Sequence, residues 1–92
     1  MIRLNCFFEA NSAAAYEKAL DAATTLTMKS QKHEGCIAYD VFTSETRSYI
    51  FMICETWKDE ESLAKHAATP EFKENVAYID EAGKMKIEKF EF

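Results

Sequence analysis

Tyr49-Ile50-Phe51-Met52-Ile53-Cys54-Glu55-Thr56-Trp57, running on through Lys58-Asp59 to the stretch Glu60 to His66, decides the architecture. Its first six residues are apolar on both faces of a strand, a pattern seen where both faces are covered. Residues two apart on a strand share a face, so Glu55 and Trp57 project the same way. Lys58-Asp59 is suited to a turn, with Asp59 as the N-cap of a helix. From Glu60 to His66 that helix rises about 9 Å at roughly 1.5 Å per residue. Folded back over its own strand, it brings His66 above Ile53 or Glu55. A carboxylate, an imidazole and an indole are then expected around one small space.

The flanking segments fit this unit into a larger plan. Ile2 to Glu9 is apolar and partly alternating, a strand. Asn11 or Ser12 can cap a helix whose apolar stripe is Ala13, Tyr16, Leu20, Ala23 and Thr27. That helix fades near Ser30 to His33, and Gly35 stops it. Cys36 to Thr43 and Tyr49 to Thr56 form a hairpin around the polar turn Ser44 to Ser48. After the short helix from Asp59 to about Ala68, Thr69 and Pro70 restart helical structure as N-cap and first residue. Phe72, Val76 and Ile79 are its apolar stripe, Gly83 ends it, and Met85 to Phe92 is a last strand. The order βαββαβ predicts an α+β ferredoxin-like sandwich, a four-stranded antiparallel sheet with helices on one face. Residues 1–92 are expected to form one domain, and the uncovered sheet face calls for a homodimer packed sheet on sheet.

Composition narrows the function classes. Ninety-two residues, 48% of them hydrophobic, can form a core but leave apolar surface that a partner would cover. With 16 acidic against 11 basic residues spread along the chain, there is no cationic surface for nucleic acid or for an anionic membrane. No apolar run reaches transmembrane length, and the start lacks a secretory cleavage pattern. Cys6, Cys36 and Cys54 sit in apolar contexts and read as buried reduced thiols in a cytoplasmic protein. Ligand spacings for a metal, a glycine-rich phosphate loop, a flavin or nucleotide site and a Ser-His-Asp arrangement are all missing from the pattern.

His66 is the candidate for acid–base work, because imidazole titrates near neutrality. The plainer reading is a histidine near a helix C-terminus, favoured by the macrodipole. Glu55 is a carboxylate at the end of an apolar strand, either poised in a pocket or held structurally, with helix amides or Arg3 as partners. Trp57 is a pocket wall for a flat substrate or a core anchor. Asn5 shares a strand face with Arg3 and Phe7, where its amide could hold a carbonyl or superoxide-like oxygen or make an edge hydrogen bond. Tyr39, Phe51 and Ile53 complete the expected substrate-contacting set. Phe72 reads as core, and His33 as a solvated helix-end residue.

Three motifs carry a family resemblance: Glu34-Gly35-Cys36-Ile37-Ala38-Tyr39, then Glu55-x-Trp57, then Ala64-Lys65-His66-x-x-Thr69-Pro70-x-Phe72. In this order and spacing the chain resembles the antibiotic biosynthesis monooxygenase family, and within it the quinol-monooxygenase-like branch. The resemblance implies a dimeric α/β-barrel assembly, often with the last strand reaching across to the partner. It also implies oxidation of a small aromatic or quinol by O2 without metal or flavin, with His66 and Glu55 catalytic. The substrate then supplies the electrons, so one base and an apolar pocket suffice. The polyketide-oxidising branch has polar residues where Ile53 and Leu63 stand, which argues against anthrone-type chemistry. Haem-degrading relatives use Asn, Trp and His, of which only Asn5 is matched, His66 and Val76 standing at the other two positions. A sugar-phosphate isomerase branch shares the His-x-x-Thr-Pro segment but has Tyr at Trp57, and only Arg3 and Lys65 are near for a phosphate. A non-catalytic small-molecule-binding dimer is the remaining alternative, one that could leave His66 in solvent.

Overall fold

The computed structural model describes residues 1–92 in the order β1 (Ile2–Ala10), α1 (Ala13–Ser30), β2 (Cys36–Thr43), β3 (Ile50–Trp57), α2 (Glu60–Ala67), α3 (Pro70–Ala82) and β4 (Gly83–Glu91). The strands form one four-stranded sheet in the order β2-β3-β1-β4, every neighbour antiparallel. This is the ferredoxin-like α+β fold that the βαββαβ order predicts. The longest helix, α1, lacks the run of apolar residues needed to cross a membrane.

Local chemistry sets each boundary. Ser12 caps α1 by accepting from the Ala15 amide, Asp59 caps α2 through Ser62, and Thr69 caps α3 through Phe72 with Pro70 in the first turn. Ser44 Oγ accepts from the Thr46 and Arg47 amides and closes the hairpin turn. Strand β3 starts at Ile50 rather than Tyr49, because Tyr49 adopts φ 64, a left-handed conformation that leaves the extended region. The last strand likewise starts earlier than Met85: Gly83 caps α3 and already pairs with Ala10 of β1.

Register then divides the side chains between two faces. Ile2, Leu4, Cys6 and Phe8 of β1 lie opposite Trp57, Glu55, Ile53 and Phe51 of β3, and this face meets the helices. The core is built here, with Phe8 stacked on Phe51 at 4.7 Å and Leu26 and Ile79 filling in from α1 and α3. The buried side of α1 is Ala19, Ala22, Ala23, Leu26, Thr27 and Ser30. Of the expected stripe only Ala23 and Thr27 are fully buried, and Ala13 is exposed. Alanine spacing carries little information on rotation, and the small side is the one that admits α3. The opposite sheet face carries Arg3, Asn5, Phe7, Met52, Cys54, Phe42 and Phe90 and has no helix over it.

Candidate functional site

The end of β3, the turn before β2, the end of α2 and the start of α3 converge on one buried cluster. Glu55 and Trp57 share the helix-facing side, as period-two alternation requires. The Trp57 indole Nε1 donates to Glu55 Oε1 at 2.8 Å, and Trp57 is fully buried. His66, carried by α2, lies over the indole with ring centroids 4.4 Å apart. Tyr39 of β2 meets Trp57 edge-on and lies 5.7 Å from the His66 ring, while Phe72 of α3 stands edge-on to His66 at 5.0 Å. His66 is 1% exposed, and its Nε2 is buried with no hydrogen-bonding partner in the protein. An unpaired buried polar atom is costly, so a site that keeps one is a binding-site candidate.

The other ring nitrogen of His66 is paired. Its Nδ1 lies 2.9 Å from Nδ1 of His33, and His33 Nε2 lies 2.9 Å from Glu71 Oε2. The two histidines of the chain therefore touch, and His33 is not the solvated helix-end residue its position suggests. Its side chain is 14% exposed and that of Glu71 28%, so the row runs from the surface inward to His66. Sequence reading missed both His33 and Glu71. The one signal was Gly35, whose turn at φ 80 sends the chain back past α2. A Cβ there would fall 2.0 Å from Ser62 Oγ, so only glycine lets α2 sit this close to the turn that carries His33.

Burial pushes the Glu55 carboxyl up to about 7, with hydrogen bonding from Trp57, Tyr39 and Cys6 pulling the other way. Burial, with the neighbouring His33 adding to it, pushes His66 down to about 4, against a smaller opposing pull from Glu71. Tyr39 and Cys6 are both raised, again first by burial and then by Glu55. The site is thus a set of groups kept uncharged in apolar surroundings, Glu55 alone being poised near neutrality.

The structure gathers Glu55, Trp57, Tyr39 and His66 and separates the rest of the expected set. Neither helix amides nor Arg3 serve Glu55, since Arg3 donates to Thr56 Oγ1 at 2.7 Å on the other sheet face. Asn5 also lies on that face, where it accepts from Cys54 Sγ at 3.5 Å. Phe51 is on the correct face but six residues from Trp57, roughly 20 Å along a strand, and packs on Phe8. Ile53 is buried one pleat from Glu55, opposite Cys6 and Val41. Phe72, expected in the core, is half-buried and forms the outer wall over His66. A depression of about 680 Å³ lies elsewhere, between α1 and α3 beside Lys18, Asp21 and Tyr78.

The sequence and the fold have known counterparts. The sequence matches the family described as antibiotic biosynthesis monooxygenase over residues 1–78, and the chain belongs to that family. A solved structure from Bacteroides thetaiotaomicron VPI-5482, a conserved protein of unknown function described as a possible oxidoreductase, is similar at 54% identity. It covers 99% of this chain and 96% of its own, with a TM-score of 0.94. A crystal structure described as antibiotic biosynthesis monooxygenase superposes with a TM-score of 0.90 at 22% identity, covering 100% of this chain and 98% of that one, which bears on the fold alone. The "Putative monooxygenase YcnE" of Bacillus subtilis (strain 168) is 34% identical over 61 residues, 66% of this chain and 64% of that protein's length.

Proposed function

We propose that the chain is a cofactor-independent monooxygenase of the quinol-oxidising type, acting on a small aromatic substrate with O2. The observation that carries this reading is the buried, unpartnered Nε2 of His66 inside a wall of Trp57, Tyr39 and Phe72. A phenolic O–H is the donor such an atom lacks, and flat rings suit the aromatic walls. The substrate enters past Phe72, the half-buried member of the wall.

Removal of the phenolic proton by His66 gives an anion rich enough to pass one electron to O2. Recombination of the resulting radical pair forms a carbon–oxygen bond, and loss of water from the peroxide leaves one oxygen atom on the ring. For a hydroquinone, the balance is substrate plus O2 giving hydroxyquinone plus water, with all four electrons drawn from the substrate. Glu55 fixes the indole through its hydrogen bond. With its carboxyl poised near 7 it also serves as a second proton-transfer group.

Two other readings lose ground. Lys65 is engaged at the surface by Glu34 and Glu61, and Arg3 lies on the far sheet face, so neither cation expected to meet a sugar phosphate stands free beside His66. A binding module with a solvent-exposed His66 does not match its 1% exposure. The functional unit we propose is a homodimer joined through the uncovered sheet face.

The test is oxygen uptake by metal-stripped protein with a panel of hydroquinones and anthrones, beside the His66→Ala variant. Uptake above the spontaneous rate that falls roughly 10²-fold or more in the variant is expected for loss of a general base. Equal uptake by both proteins would remove His66 from the mechanism, and no uptake across the panel would favour the binding reading.

A further inference from the structure

We infer that Glu71 and His33 form a proton relay that sets the tautomer of His66 and carries the substrate's proton to the surface, an assignment that rests on the oxygenase reading above. An ionised carboxylate only accepts, so the hydrogen shared between His33 Nε2 and Glu71 Oε2, 2.9 Å apart, belongs to His33. A neutral imidazole has one N–H, which leaves His33 Nδ1 as an acceptor. The 2.9 Å contact between the two Nδ1 atoms then requires that His66 donate. His66 consequently has its lone pair on Nε2, the buried atom without a partner. Three side chains from the α1–β2 turn, α2 and α3 together orient a base towards the interior.

The same row resolves a difficulty in the chemistry. Burial holds His66 so low that it would be a poor resting place for a proton. In the relay it need not keep one. The substrate O–H bond breaks as the His66 Nε2–H bond forms. The His66 Nδ1–H bond breaks as the His33 Nδ1–H bond forms, and His33 becomes an imidazolium beside the Glu71 carboxylate. His66 ends neutral with its tautomer exchanged, and the charge sits in the more exposed pair; the row runs back when the peroxide takes the hydrogen from His66 Nε2 and His33 returns one to His66 Nδ1, which restores the resting tautomers and balances the reaction. Around this row the other titratable and charged groups are Lys29 on α1, which acts on Glu71, and Glu55 and Tyr39 on the sheet side.

His33 and Glu71 act through His66 and are positioning residues, so the test reads the tautomer itself. Full-length protein with 15N-labelled histidine is compared with Glu71→Lys and His33→Asn by NMR. The wild type should show Nδ1 of His66 protonated and Nε2 unprotonated. Glu71→Lys places a donor against His33 Nε2, and every hydrogen in the row should reverse, putting N–H on His66 Nε2. His33→Asn keeps an acceptor for His66 Nδ1–H while cutting the onward path. It should preserve the tautomer but lower kcat for hydroquinone oxidation roughly tenfold with KM unchanged, and Glu71→Lys should lower it roughly 10²-fold. A wild-type His66 with its hydrogen on Nε2, or one tautomer common to wild type and Glu71→Lys, overturns the relay whether or not oxygen is consumed. The expected tautomers with no uptake by wild type support the setting of the His66 tautomer by His33 and Glu71 and overturn the oxygenase reading instead.

Discussion

Glu55 and His66 make opposite contributions to stability across the same pH range. The folded state raises the Glu55 carboxyl from 4.5 to about 7, so it binds a proton that the unfolded chain has released. Its linked stability is present below 4.5 and is lost as pH rises through 7. The folded state lowers His66 from 6.5 to about 4, so its linked stability is present above 6.5 and is lost as pH falls through 4. Each shift spans roughly 3 kcal/mol, and between pH 4.5 and 6.5 the two nearly cancel. Urea unfolding should therefore show a flat profile for wild type across that window. Glu55→Gln should gain stability with rising pH, His66→Gln should lose it, and equal slopes in the two variants would refute the assignment. Much of this site was legible from residue types: a carboxylate two residues before a tryptophan on an apolar strand, and a histidine two turns into the next helix. Asn5 and Phe51 fall outside the cluster: Asn5 stands on the face that alternation gives it, opposite to Glu55, and Phe51 lies further back along β3 against Phe8. The partnership of His33 with His66 was not legible, since it depends on a turn and a helix meeting across 33 residues of sequence.

At the scale of elements, the caps were readable because their chemistry is local: Ser12, Asp59 and Thr69 each accept from an amide three residues on. The rotation of α1 was not, since an alanine-rich helix offers several stripes of similar bulk and packing against α3 chooses between them. Gly35 shows how one element's backbone fixes another's place. It combines φ 80 with a position where a side chain would fall 2.0 Å from Ser62 Oγ and 2.3 Å from Ser62 Cβ. Gly35→Ala should therefore cost roughly 2–4 kcal/mol, from backbone strain and from displacement of α2. Because α2 carries His66, the same change should separate the two imidazoles and erase the tautomer coupling between them. An unfolding free energy within about 1 kcal/mol of wild type, or an unchanged His66 nitrogen spectrum, would show that the turn and helix are not packed as tightly as described.

For the whole molecule, the element order carried the fold, and the apolar character of both faces of β3 carried the argument for a partner. Register now gives that argument residues. Phe42, Met52 and Phe7 lie side by side across β2, β3 and β1 on the face without helices, with Phe7 39% and Phe42 51% exposed. Two aromatic rings and a methionine arrayed across three strands are an apolar patch of the kind that marks an interface. The charged neighbours on the same face are of both signs, Arg3, Lys84 and Lys86 against Glu9, Asp40 and Glu88. A two-fold axis through such a patch brings unlike charges together around a shared apolar centre, which suits a second copy of this chain. Sedimentation equilibrium should then give twice the 10.5 kDa of the chain for wild type, and the monomer mass for Phe7→Lys/Phe42→Lys. Both substitutions stand on the solvent side of the sheet, so the variant should keep its fold. Glu55, Trp57, His66, His33 and Glu71 all come from one chain and lie on the other face, so monomerisation should leave the His66 nitrogen signals in place. A monomeric wild type would remove the sheet-to-sheet dimer, whereas a monomeric variant with altered His66 signals would mean that the partner's sheet helps hold the site together.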